Sequence, residues 1–311
     1  MYDPQQSCLI TAAVSRLQHD LDQAAPLLAQ HVSRWMQQLA GGTEPATYFT
    51  HPQAFPSLLL PWWLEKSLGF GHDLAFQGDL AYSTINGYYA IRLADNLMDG
   101  NSTVELKLLP ALNFFQTQFQ AAYHPYFATD HPFWRFFRTT WFHSAEVTFQ
   151  DALLADWEAA QFEQVAAQKT CAAKIPLAAV SYRADRADLI AAWSRCVDLF
   201  GCWHQLLNDL FGWQRDYSSG IHTYFLVEAE RRRHPDEPVV AWVAREGFAW
   251  ALETAQGWLS ALKALAQELH SPDLLVYLEM RERMLQKQTN EVAAGLEALA
   301  RIAAVSHVIP N

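Results

Sequence analysis

One stretch restricts the fold of this chain more than any other: Leu206-Leu207-Asn208-Asp209-Leu210-Phe211-Gly212-Trp213-Gln214-Arg215-Asp216. Read as a helix, it stacks Asn208, Gly212 and Asp216 on one stripe, because four residues advance the helix by little more than a full turn. Trp203, Leu206, Leu207, Leu210, Phe211 and Trp213 surround that stripe with apolar groups on nearly every side. A helix that is apolar almost all round belongs inside a bundle, enclosed by other helices. A carboxylate and a carboxamide in such surroundings cost free energy unless something pairs with them.

The rest of the chain supplies the enclosing helices. Helical-period runs are expected over 7–39, broken at Ala24, Ala25 and Pro26; from Asp73 to Asp99, ending at Gly100 as C-cap; and from Val104 to Tyr123. Others follow from Pro132 through Phe142, from Leu153 to Thr170, and from Asp185, as N-cap, to Tyr217. The Lys174-Ile175-Pro176 stretch should interrupt a helix between them. Ser271-Pro272 is a start signal for the amphipathic tail. Gly41-Gly42-Thr43-Glu44-Pro45 through Pro56 reads as a loop. No strand-like alternation or repeat is visible, so we expect one all-α domain over 1–311. Within it, 1–56 holds N-terminal helices and their connection, and 57–311 holds the main bundle with a central cavity.

Composition narrows the partners. With 51% apolar and 18% charged residues the chain can bury a large core. A formal net charge of -11 argues against nucleic acid. The apolar stretch from Phe55 to Leu64 is broken by Pro56 and Pro61, so no integral membrane segment is expected. Cys8, Cys171, Cys196 and Cys202 lack CxxC pairing and read as buried reduced thiols, and no signal peptide is visible; both suit a cytoplasmic protein.

Asp95 and Asp99 lie one turn apart at the end of the expected 73–99 helix, where they repel each other and the helix dipole. A cation relieves both, and hard oxygen ligands suit Mg²⁺, which keeps waters and takes further ligands from phosphates. Asn208 and Asp216 offer a matching set, with room at Gly212 and a cation at Arg215. Taken singly, these groups have plain alternatives. Asp95 could pair with Arg92, Arg215 with an acid on a neighbouring helix, and Asn208 and Asp216 could be satisfied hydrogen-bonding groups. His72-Asp73 is reminiscent of metal phosphohydrolases, but the other histidines are not suitably grouped, and His204 is expected as a core histidine.

The Asn208–Asp216 stretch resembles the second metal motif of class I terpene synthases: an Asn-Asp pair, a Ser, Thr or Gly four after the Asn, and an acid eight after it. The segment Asp95-Asn96-Leu97-Met98-Asp99 resembles the first, aspartate-rich motif of the same isoprenoid synthase superfamily, which includes polyprenyl diphosphate and squalene/phytoene synthases. The resemblance implies Mg²⁺, three ions in all, on Asp95, Asn96, Asp99, Asn208, Gly212 (through a water) and Asp216. It implies a prenyl diphosphate substrate, ionised with release of diphosphate and then cyclised or converted by elimination. No arginine pair follows the first motif, which favours this over chain elongation. Prenyl transfer or head-to-head condensation, and a non-catalytic prenyl-lipid binder, remain the alternatives. Candidate diphosphate contacts are Lys169, Lys174, Arg183, Arg215 and Arg281. Candidate aromatic faces for a carbocation are Phe76, Tyr88, Tyr89, Trp141, Phe142, Trp203 and Phe211, each of which could equally be core. A homodimer is allowed for.

Overall fold

A computed structural model describes residues 2–69, 71–98, 105–154 and 156–306, without the side chains of 152, 293 and 295–306. Fourteen α-helices run through these residues: α1 (Pro4–Ala24), α2 (Pro26–Leu39), α3 (Pro45–Phe49), α4 (Leu59–Ser67), α5 (Leu74–Met98), α6 (Ala111–Ala121), α7 (Pro132–Leu153), α8 (Ala159–Lys169), α9 (Lys174–Arg183), α10 (Ile190–Ser218), α11 (Tyr224–Arg232), α12 (Val239–Trp242), α13 (Phe248–Glu268) and α14 (Pro272–Ser306). Among the described residues there is no strand, and no helix is long and apolar enough to cross a membrane. The all-α expectation holds.

Local chemistry explains most of the boundaries. Asp3 accepts a hydrogen bond from the Gln6 amide at 2.7 Å with Pro4 at the first helical position, and Pro26 takes the same position in α2, which has no side-chain cap. Asp73 accepts from the amides of Ala75 and Phe76, both at 3.1 Å, and so starts α5. The expected helix from Leu153 to Thr170 starts later, at Ala159. There Glu158 and Gln161 form a reciprocal capping box, and the chain before it bends away as a rim segment.

Three further expectations are corrected. Pro176 interrupts nothing: it lies in the first turn of α9, where its missing amide hydrogen has no helical acceptor to lose. Asp185 does not cap α10. At φ 54° it ends α9, with the Arg186 amide reaching back to the Ser181 carbonyl at 2.8 Å. The 41–56 connection contains the short helix α3. Asp99, Gly100 and Val104 lie outside the described residues.

The helices pack around two hydrophobic clusters. One gathers α1–α3 with most of α5 and α6; the other gathers α4 and α7–α14 with Phe76 and Leu80 of α5 and Phe119 of α6, and Trp141 packs against both. Two glycines set close approaches. A Cβ on Gly87 would meet the Phe119 ring at 2.9 Å, and one on Gly201 would meet the Ala166 carbonyl oxygen at 2.5 Å. The second approach holds α10 hard against α8 and thereby fixes the facing side chains of those two helices. The cysteines form no disulfide: Cys171, Cys196 and Cys202 are buried, while Cys8 is exposed, contrary to the expectation for that residue. Burial pushes the Cys171 thiol up to about 11 and those of Cys196 and Cys202 up to about 12.

Candidate functional site

A cavity of about 930 Å³ opens between α5, α8, α10 and α14. Helix α5 sends Arg92 and Asp95 to its wall, α8 sends Lys169, and α14 sends Arg281. Along α10 the wall runs from Trp203 to Asp216, taking in Asn208, Asp209, Phe211, Gly212 and Arg215. The C-terminal end of α7 and the chain after it contribute Asp151, Leu153, Leu154 and Trp157, and the chain leading into α11 contributes Ile221 to Tyr224.

The two stretches singled out in the sequence therefore face one space. Charge is concentrated there. Lys169 pairs with Asp151 at 2.6 Å. Burial alone would pull its ammonium group down, but Asp151, Asp95 and Asp209 together hold it above the ordinary lysine value. Carboxylates from α5, α7 and α10 thus act on one ammonium ion. Arg92 pairs with Asp95 at 3.2 Å, which is the plain alternative for Asp95, and the Arg92 Nε is buried without a partner among the described residues. Arg215 pairs with Asp216 at 3.0 Å.

Asp209 is the most perturbed acid of the group. Burial, with Asp216 and Asp151 adding to it, pushes its carboxyl up to about 7, against the opposing effects of a 2.8 Å hydrogen bond from Gln205 and of Lys169. It is a carboxyl in want of positive charge. The reading of α10 as apolar nearly all round needs correction here. Trp203, Leu206, Leu207 and Leu210 are buried, but Asn208 and Phe211 are exposed on the cavity side, and the buried acids are Asp209 and Asp216. The room expected at Gly212 is taken by the chain itself: an added Cβ would lie 3.0 Å from the Arg215 guanidinium and 3.3 Å from the Asp216 carboxylate. Arg215 folds back over Gly212 onto Asp216.

Several candidates stand elsewhere. Phe76 is core, under the Arg183 guanidinium at 4.4 Å, and Arg183 itself pairs with Asp73 at 2.6 Å. Tyr88 is hydrogen-bonded to Tyr48 in the N-terminal core, and Tyr89 packs there beside it. Lys174 pairs with Asp198 at 2.6 Å, away from the cavity. Asn96, buried with its Nδ2 unpartnered among the described residues, is not among the residues lining the cavity, as its place 100° round the helix from Asp95 explains. Trp141 packs against Phe119 with the rings tilted at 56°, and Phe142 is exposed. Asp99 lies outside the described residues. His72 stacks on Trp62 with ring centroids 3.5 Å apart and hydrogen-bonds Glu65 at 3.0 Å, a structural role.

Sequence reasoning missed Asp209, Asp151 and Gln205 as site residues. Asp209 was within reach, because it and Asp216 are seven apart and share the same face as Gln205. Asp151 carried no signal of its own. His204 lines the cavity beside Phe55, and burial next to Arg281 lowers its imidazole to about 4. Arg281, also buried, donates to the Tyr277 hydroxyl at 2.6 Å and to the Ala54 carbonyl at 3.2 Å, and lies over Trp203 at 4.7 Å. It has no acid partner among the described residues.

Asn208, Asp95, Asp209 and Asp216 form a set of hard oxygen donors with a deficit of positive charge at Asp209. That set fits a divalent cation such as Mg²⁺ which keeps water and phosphate ligands. It does not fit an ion caged by protein alone, because among the described residues no three acids, histidines or cysteines gather around one point.

No family model matches the sequence, and no curated protein matches it. Among solved structures it is similar to a geranylgeranyl pyrophosphate synthetase from the archaeon Geoglobus acetivorans, with a TM-score of 0.63 and 14% identity over 95% of this chain and 99% of the other. The chain has the isoprenoid-synthase fold.

Proposed function

We propose that this protein is a Mg²⁺-dependent class I terpene synthase of the cytoplasm, ionising a prenyl diphosphate in the α5–α10 cavity and cyclising the cation or quenching it by elimination. The observation that carries the reading is that Asp95, Asp151, Asp209 and Asp216, from α5, α7 and α10, line one cavity together with Lys169 and with apolar side chains such as Trp157, Phe162 and Trp203.

Asp95, Asn208, Asp209 and Asp216 would hold the magnesium ions, with Asp99 added by the motif. Bound magnesium supplies positive charge to the departing diphosphate, an electrostatic effect that grows as water is excluded. Lys169, Arg92 and Arg215 line the same cavity and would take diphosphate oxygens, Arg92 released from Asp95 and Arg215 from Asp216 as those acids turn to metal. Gln205 orients Asp209. Trp157, Phe162, Trp203 and Phe211 give the prenyl chain an apolar, aromatic wall that stabilises a cation without supplying a hydroxyl to trap it. The final proton can leave to diphosphate, so no separate base is required.

A second reading, prenyl transfer or condensation, is favoured by two observations. The solved neighbour is a prenyl diphosphate synthetase by name, and Arg281 is a buried cation with no acid partner among the described residues. Incubation with geranyl, farnesyl and geranylgeranyl diphosphates and Mg²⁺, singly and in pairs, separates the readings. Release of a hydrocarbon or alcohol from a single diphosphate is expected. A product longer than its substrate supports transfer. No turnover with any of them, by a folded protein that still binds prenyl chains, overturns both enzyme readings. Asp95→Ala and Asp216→Ala should abolish turnover while leaving the helical circular dichroism intact.

A further inference from the structure

His204 lines the cavity from α10, one turn and about 6 Å along the helix from Asn208. Exposure of the α10 wall falls in that direction: Asn208 and Phe211 are exposed, His204 is half-buried and Trp203 is buried. The imidazole meets the Phe55 ring edge to face, with centroids 5.9 Å apart. Helix α14 brings Arg281, Met284 and Leu285 to the same cavity, and Gln53 comes from the connection before α4. Neither ring nitrogen of His204 is hydrogen-bonded among the described residues, and Arg281 donates to the Ala54 carbonyl and the Tyr277 hydroxyl, not to His204. A polar side chain withdrawn from water without a partner costs free energy, and such groups gather where chemistry uses them.

The protonation state of this ring is fixed by its surroundings. An imidazolium would have to share the space with the Arg281 guanidinium, so burial and that charge hold the ring down to about 4. At neutral pH it is the uncharged imidazole, with an N–H on one nitrogen and a free lone pair on the other. The cavity therefore holds a permanent proton acceptor beside the apolar side chains of Trp203, Leu207, Met284 and Leu285.

On the reading that this site ionises a prenyl diphosphate, we propose that His204 is the catalytic base that ends the reaction, taking the proton whose loss turns the last carbocation into an olefin. The C–H bond next to the cationic carbon breaks and its electron pair becomes the second bond of the new double bond. The proton goes to the lone pair of the imidazole. A cation and a neutral ring thus become a neutral olefin and an imidazolium. A carbocation is a far stronger acid than an imidazolium, so the low basicity of this ring is no obstacle. The imidazolium formed beside Arg281 is itself acidic and gives its proton to water as the products leave. Carbons beside the leaving group can lose a proton to diphosphate. His204, a turn further along α10, serves carbons further along the chain and so selects which double bond forms.

The test uses the full chain with Mg²⁺ and geranyl, farnesyl and geranylgeranyl diphosphates, reading diphosphate release and product structure together. His204→Gln keeps a polar side chain without a basic nitrogen, and His204→Phe keeps a flat ring. With helical circular dichroism unchanged, both should still release diphosphate, because ionisation precedes the proton loss. The share of the wild-type olefin should fall by about tenfold or more. In its place should come isomers with the same carbon skeleton and a displaced double bond, or the alcohol formed when water captures the same cation. The wild-type olefin in its wild-type share overturns the proposal and leaves the synthase reading standing. So does a changed carbon skeleton, which would make His204 a part of the cavity contour alone. A wild-type chain that forms no olefin also overturns it, and if that chain releases no diphosphate either, the synthase reading falls with it.

Discussion

Replacing Asp209 by Asn should stabilise the protein while removing its activity, and the gain should depend on pH in a defined way. The Asp209 carboxyl rises from 3.8 to about 7 in the folded protein because it is buried and has only Gln205 and Lys169 to offset Asp216 and Asp151. Over that interval the folded state keeps a proton that the unfolded chain has lost. Stability therefore falls as pH rises from about 4 to 7 and levels off above. At about 1.4 kcal/mol per pH unit, the full ionisation penalty is on the order of 4 kcal/mol. An amide at this position keeps the shape and can still accept from Gln205, but never ionises. Urea unfolding with a chelator present should give wild type and Asp209→Asn similar midpoints near pH 4. At pH 8 the variant should be more stable by a few kcal/mol. Mg²⁺ with inorganic diphosphate should then raise the wild-type midpoint and leave that of the variant almost unmoved. A difference between the two proteins that stays constant with pH would refute the reasoning, because it would mean the buried carboxyl carries no ionisation penalty.

Two further outcomes follow from the packing. Gly201→Ala puts a methyl group 2.5 Å from the Ala166 carbonyl oxygen. Pushing α8 from α10 should cost about 1–3 kcal/mol, read as a lowered thermal midpoint, and should cut turnover by displacing Lys169 from Asp209. His204, held down to about 4, refuses a proton that the unfolded chain accepts below its ordinary value of 6.5. Stability is therefore lost as pH falls through 6.5 towards 4, by on the order of 3 kcal/mol, and His204→Phe should remove that acid loss in unfolding measured at pH 7 and pH 4.5.

Local sequence signals were enough to place most of the helices and the two motif-bearing ones among them. Prolines and capping side chains act within a single turn, so Asp3-Pro4, Pro26, Asp73 and Ser271-Pro272 mark starts that the fold keeps. The same local logic failed at Asp185 and Pro176, where the chain between α8 and α10 makes two short turns whose geometry depends on what they pack against. The site divides along the same line. Asp95, Asn208, Arg215 and Asp216 could be named because spacing on one helix is a property of the sequence. That Asp151, Lys169 and Asp209 join Asp95 on the wall of one cavity could not, because it depends on α5, α7, α8 and α10 approaching one another, and on Gly201 allowing it. Phe76, Tyr88 and Lys174 carry residue types suited to the site and lie outside it, since helical phase alone does not tell which neighbour a face will meet. The sequence by itself determined an all-α chain with two polar stretches on apolar helices. Only the tertiary structure decided that Asp209 is the acid in want of a cation, because a pKa shift arises from burial and from charges far apart in the chain.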